Sequence, residues 1–129
     1  ARFSQDNLRI ITGSEDTTAR LWDAATGEPL GITLSGHTAS VTSVAFTPDG
    51  ERALTGSKDI TTKLWDPATG KEILTLGGHT EEITSVTVSP DGGSILTGSR
   101  DGTAIVWLTV PWHEAAVPIA LAQPRRVRP

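Results

Sequence analysis

The sequence repeats itself, and the repeat limits what the chain can become. Ile11-Thr12-Gly13-Ser14-Glu15-Asp16 recurs as Leu54-Thr55-Gly56-Ser57-Lys58-Asp59 and again as Leu96-Thr97-Gly98-Ser99-Arg100-Asp101, at offsets of 43 and 42 residues. Trp22, Trp65 and Trp107 each follow six residues after the Asp. Gly36-His37-Thr38 returns as Gly78-His79-Thr80, and Thr47-Pro48-Asp49-Gly50 as Ser89-Pro90-Asp91-Gly92. Phe3-Ser4-Gln5-Asp6-Asn7 sits in the same register 43 residues before Phe46 to Gly50. A period in this range marks an array of supersecondary units, each too small to bury its apolar face alone. The 129 residues therefore read as about three units rather than one ordinary domain.

Each unit reads as short strands joined by turns. Val41-Thr42-Ser43-Val44-Ala45-Phe46 alternates, placing Val41, Ser43 and Ala45 on one face and Thr42, Val44 and Phe46 on the other. Ile83 to Val88 is similarly rich in β-branched residues, which suit a pleated surface. The Pro-Asp-Gly segment is a turn, with Gly accepting the positive φ. Asn7 replaces that Gly in the first unit, and Asn also enters the left-handed region. Further strands are predicted over 52–56, 61–65 and 72–76, with a turn at Lys58-Asp59. Pro29, at the start of the first unit's strand over 28–34, fits an outer edge strand. Residues 113–122 read ambiguously, with 117–121 as a possible last strand.

Composition removes several classes. Apolar residues are 36% and charged residues 20%, with no run of about 18 apolar residues to span a bilayer. The expectation is no membrane partner. Cys is absent, which removes disulfides, thiolate metal sites and a cysteine nucleophile together. With no charged-then-apolar leader in view, a cytoplasmic setting is expected. The net charge is −4, yet Arg125, Arg126 and Arg128 crowd the last five residues, leaving residues 1–124 with eight basic and fifteen acidic groups. A body of that sign repels phosphate backbones, so nucleic acid is not the expected partner. Residues 123–129 are expected to form a disordered basic tail.

Four short strands per repeat describe a β-propeller blade. The combination of Gly-His, Pro-Asp-Gly, Gly-Ser-x-Asp and terminal Trp-Asp (Trp22-Asp23, Trp65-Asp66) resembles the WD40 repeat family. Trp107 departs, being followed by Leu108. The resemblance covers residues 1–108 and implies an all-β fold of three four-stranded antiparallel WD40-type blades, divided at 1–40, 41–82 and 83–122. Three blades leave a propeller incomplete, so the chain is expected to be a fragment of a longer WD40 protein. The alternative is a ring completed by a second copy.

His37, Ser57 and Asp59 are the ingredients of a nucleophilic triad. The same set recurs as His79, Ser99 and Asp101, and an enzyme needs one activated serine rather than one per repeat. The resemblance implies a buried structural tetrad instead, in which a Trp indole meets a Ser hydroxyl, then His, then Asp. One such tetrad is His37, Ser57, Asp59 and Trp65; another is His79, Ser99, Asp101 and Trp107. Ser14, Asp16 and Trp22 form a third set that lacks its His. A hydrolase using Ser57 or Ser99, and a nucleic-acid binder acting through the basic tail, are the alternatives. No metal or other cofactor is expected: His37 and His79 are equivalent residues of different repeats, there is no His pair four apart, and His113 stands alone.

Binding is sought where the repeats disagree. The turn before each Asp carries Glu15, Lys58 and Arg100, and the loop after Gly-His carries Thr38 and Ser40 in one unit, Thr80, Glu81 and Glu82 in the next. In the WD40 family these loops open on one face that commonly binds partner proteins or peptides. The reading is a non-catalytic protein-interaction scaffold, part of a larger signalling or scaffold protein. Further WD40 blades or a second copy are also candidate partners.

Overall fold

The computed structural model describes residues 1–108 in full, together with the backbone of Thr109 and of Leu121–Val127. Strands β1 (Arg2–Phe3), β2 (Arg9–Gly13), β3 (Thr18–Asp23) and β4 (Pro29–Ser35) form one antiparallel sheet in sequential order. Strands β5 (Val41–Phe46), β6 (Ala53–Ser57), β7 (Thr62–Asp66) and β8 (Lys71–Leu76) form the second. The third holds β9 (Ile83–Val88), β10 (Ser94–Ser99), β11 (Ala104–Thr109) and β12 (Leu121–Val127). Each is a four-stranded meander, the form of a propeller blade. No helix among the described residues is long and apolar enough to cross a membrane.

The turns follow from local chemistry. In each blade the first two strands are joined by a Ser or Thr whose hydroxyl donates to the Asp two residues on: Ser4 to Asp6, Thr47 to Asp49 and Ser89 to Asp91, each at 2.6 Å. The turn then needs a left-handed residue, filled by Asn7 (φ 61°), Gly50 (φ 72°) and Gly92 (φ 74°). Pro29 opens β4, the outer edge of its sheet, where a missing backbone N–H costs no ladder bond.

The core lies between blades rather than within one. Ile11, Ala19, Leu21 and Leu34 of the first blade pack on Val41, Val44, Ala53 and Trp65 of the second. Ala45, Leu54, Leu64 and Leu76 of the second pack on Val86, Ile95, Ile105 and Trp107 of the third. The second blade thus has a forward and a rear apolar face, which strand alternation produces. One residue in each of β5 and β9 breaks the alternation; in β9 it is Thr84, skipped between Ser85↔Gly98 and Ile83↔Ser99. The β5–β6 register shifts between Val41 and Ser43, so Thr42 is an extra, bulged residue. Val41 consequently joins Val44 in the first seam, whereas strict alternation places it with Ser43 and Ala45. The bulged Thr42 hydroxyl donates to the carbonyls of Gly56 and of Ile83 in the next blade.

The third blade corrects the expected chain end. Its fourth strand is β12, paired with β11 from Thr109↔Leu121 to Ala104↔Val127. The sheet therefore runs past residue 122 into the segment expected to be a disordered tail, and Arg125 and Arg126 lie in a strand. The backbone groups along the outer side of β11 supply the reason, since they need partners and a fourth strand provides them. Pro124 is tolerated there because β12 is an edge strand. Trp112, His113 and residues 117–120 lie outside the described residues.

Candidate functional site

The conspicuous His, Asp and Trp side chains come together, but around a threonine. His37 Nδ1 lies 2.8 Å from Asp59 Oδ2, and His37 Nε2 lies 2.6 Å from Thr55 Oγ1. Thr55 Oγ1 also accepts the Trp65 indole N–H at 2.9 Å. The third blade repeats the chain: His79 to Asp101 at 3.0 Å, His79 to Thr97 at 2.9 Å and Trp107 to Thr97 at 3.2 Å. In the first blade Trp22 donates to Thr12 at 2.9 Å, and Asp16 faces Arg20 at 3.7 Å.

Ser57 and Ser99 are not the hydroxyls of these networks, which corrects the tetrads expected from sequence. Ser57 Oγ donates to the Ala39 carbonyl (3.1 Å) and accepts the Asp59 amide; Ser99 Oγ does the same with Glu81 (3.0 Å) and Asp101. Ser14 likewise accepts the Asp16 amide. Strand geometry explains the exchange. Ala53 is paired with Trp65, and Thr55 is two residues further along the same face. Ser57 is two beyond that, about 6–7 Å past Thr55 and out of reach of the indole. Thr12, Thr55 and Thr97 recur as regularly as the serines, so the repeat itself carried the signal.

The Asp residues are held ionised. Burial pushes the Asp59 carboxyl up, but hydrogen bonds from the Thr61 hydroxyl, His37 and the backbone amides of Thr38 and Thr61 outweigh it and bring the pKa to about 2. At Asp101 the Thr103 hydroxyl is the leading influence; with the Thr80 amide and His79 it lowers the pKa against burial. Thr61 and Thr103 were not singled out in the sequence.

As chemistry, the arrangement offers no activated nucleophile. Neither Ser57 nor Ser99 contacts a His, and Thr55 and Thr97, which do, are fully buried. A cleft of about 420 Å³ beside the inner strands is lined by Thr42, Ser43, Thr84, Ser85 and Arg2 among others, with no His, Asp or Glu among the described residues. Among the described residues no three His, Cys, Asp or Glu side chains cluster as metal ligands.

The variable loops do converge. Lys58 N donates to the Ser40 carbonyl at 2.9 Å, Arg100 N to the Glu82 carbonyl at 3.1 Å, and Val41 N to the Ser14 carbonyl at 2.9 Å. These bonds tie each Gly-His loop to a strand-connecting turn at one end of the sheets. Glu15, Thr38, Lys58, Thr80, Glu81 and Arg100 are exposed there, with Ser40 and Glu82 half-buried. Arg100 pairs with Glu82 at 3.6 Å.

Comparison with known proteins agrees with this geometry. The chain matches the "WD domain, G-beta repeat" family over residues 1–23, 27–66 and 70–107. It is 55% identical over 40 residues to the pre-mRNA-splicing factor PRP46 of Saccharomyces cerevisiae, covering 31% of this chain and 9% of that protein. It is 57% identical over 37 residues to the Denticleless protein homolog of Danio rerio, covering 29% and 6%. The Gallus gallus homolog is 54% identical over 39 residues, covering 30% and 5%. Each match is about one repeat long, and the chain spans less than a tenth of these relatives. With its matched segments, three meander sheets and recurring His–Thr–Trp networks, the chain belongs to the WD40 repeat family.

Proposed function

We propose that the three blades act as a non-catalytic scaffold that binds a protein or peptide through the loop end carrying Glu15, Thr38, Ser40, Lys58, Thr80, Glu81, Glu82 and Arg100. WD40 repeats are in general protein-interaction modules, which supports the broad reading. The observation that carries the finer one is the tethering of each Gly-His loop to a neighbouring turn. That bonding gives a fixed platform whose backbone repeats while its exposed side chains differ from blade to blade. Mixed charge at such a rim selects partners more than it adds affinity.

The hydrolase alternative loses its support, because the two serines spend their hydroxyls on backbone groups. Two measurements test the proposal. A broad serine-reactive probe is expected to leave Ser57 and Ser99 unlabelled; labelling abolished by Ser57→Ala or Ser99→Ala contradicts it. Proteins retained by the chain are expected to be lost on combined Lys58→Glu and Arg100→Glu reversal. Retention unchanged by that pair and by Glu81→Lys places binding elsewhere.

A further inference from the structure

The turn that joins β6 to β7 holds an isoleucine where its backbone resists one. Ile60 has φ 70°, in the left-handed region that a β-branched side chain occupies only under strain. The turn around it is tied down. The Ile60 amide donates to the Ser57 carbonyl at 3.3 Å, and the Asp59 amide to Ser57 Oγ at 3.0 Å. The Asp59 carboxylate meets His37 and accepts from the Thr38 amide and from the amide and hydroxyl of Thr61. Nothing in such a turn asks for an apolar residue, since the equivalent positions of the other blades are Thr17 (φ 80°) and Gly102 (φ 83°). Nor does the core ask for one. Ile60 belongs to neither apolar seam and is 41% exposed. Among the described residues it is the one large apolar side chain exposed in the loops of this end.

Lys58 stands two residues before it, exposed and without an ion pair among the described residues, whereas Arg100 at the equivalent position pairs with Glu82 at 3.6 Å. The adjoining loop Thr38-Ala39-Ser40 is uncharged where Thr80-Glu81-Glu82 is doubly acidic. The second blade therefore shows one apolar side chain on a braced turn beside one unpaired lysine. We propose that Ile60 is the apolar anchor of the loop-end surface, and that its partner is a protein segment presenting an aliphatic side chain next to a carboxylate. The aliphatic group packs on Ile60 and the carboxylate meets Lys58. This rests on the loop-end reading and adds the contact and the chemistry it selects. Strain kept at an exposed position gains nothing in folding and is accounted for by a gain on binding. A central apolar anchor with polar groups around it is the form that dominates binding energy, and the complementary charge fixes the partner's orientation.

Synthetic peptides supply the probe: fluorescein-labelled, C-terminally amidated peptides of Gly and Ser with a central Leu flanked by Glu, Gln or Lys, and a matching set with Ala for Leu. Dissociation constants are read by fluorescence polarisation. Leu peptides flanked by Glu are expected to bind at least about tenfold more tightly than those with Ala or with Lys. Ile60→Gly is expected to lose that tenfold while melting no lower than the parent. Ile60→Thr copies the residue of the first blade and keeps the β-branch, so it decides the matter should Ile60→Gly melt lower. Lys58→Gln is expected to cancel the preference for Glu over Gln and to leave that for Leu over Ala. Peptides bound equally by the parent and both Ile60 variants, no preference for Leu, or no binding by the parent would each overturn the proposal. Binding that falls with Arg100→Glu but not with either Ile60 variant overturns it and leaves the loop-end reading standing.

Discussion

Trp65 Nε1 donates to Thr55 Oγ1 at 2.9 Å, and the same oxygen lies 2.6 Å from His37 Nε2. One hydroxyl thus joins the seam between the first two blades to the Gly-His loop. Trp65 is 1% exposed and packs on Ile11 and Leu21 of the preceding blade. Its indole N–H has to be met inside the protein, since water cannot reach it. His37 continues the chain to Asp59, whose carboxylate also accepts the amide of Thr38 and the amide and hydroxyl of Thr61. Packing, loop position and carboxylate ionisation are therefore coupled in the second blade, and the third repeats the chain.

His37→Ala is expected to destabilise the fold by about 1–3 kcal/mol, because it leaves buried polar partners unmatched. Asp59→Asn is expected to lose less, since the amide still accepts from Thr38 or Thr61. Urea unfolding reads both, and an unchanged midpoint for His37→Ala would remove the network from the account.

Acid should unfold the chain in a defined window. Asp59 has its pKa lowered from 3.8 to about 2 in the fold. A depressed carboxylate contributes stability above its unfolded pKa and loses it as pH falls through the folded value. Unfolding midpoints are expected to drop between about pH 4 and pH 2, and the drop should shrink in Asp59→Asn. A variant as acid-sensitive as the parent over that window would contradict the assignment.

Ile60 sits at φ 70°, where the equivalent residues are Thr17 (φ 80°) and Gly102 (φ 83°). A β-branched residue is strained there, and Ile60 is also 41% exposed. Ile60→Gly is expected to stabilise by up to about 1 kcal/mol, the relieved strain exceeding the lost contacts and the added chain entropy. A lower melting temperature in this variant would mean that Ile60 packs more than its exposure suggests.

Gly56→Ala should be costly and Gly98→Ala mild. The first puts a Cβ against an Ile83 methyl held in the seam, an overpacking worth about 1–3 kcal/mol. The second meets Ser85 Oγ, which can rotate away. Equal losses in thermal melts would show that the space beside Gly56 is not filled from the next blade.

Much of this is legible in the sequence, for a physical reason. Gly, Asn and Pro mark turns by backbone sterics, and β-branched runs mark strands, so the repeat exposed the three sheets and the edge position of Pro29. Placement along a strand was less legible. Thr55 and Ser57 are both hydroxyl residues on one face, and only the pairing of Ala53 with Trp65 shows which lies within reach of the indole. The bulge at Thr42 was hidden because alternation presumes one residue per ladder step. β12 was hidden because Pro124 and the arginines look like an unpaired end, whereas β11 gives that segment a ladder to join.

The most direct test compares Thr55→Val with Ser57→Ala in equilibrium urea unfolding. Val keeps the shape of Thr but strands the Trp65 N–H and His37 Nε2, so Thr55→Val is expected to cost about 1–3 kcal/mol. Ser57→Ala gives up one turn bond and its contact with Ala39, and should cost roughly half as much or less. If Ser57→Ala is the more damaging and Thr55→Val is neutral, the threonine-centred network does not hold the blade together.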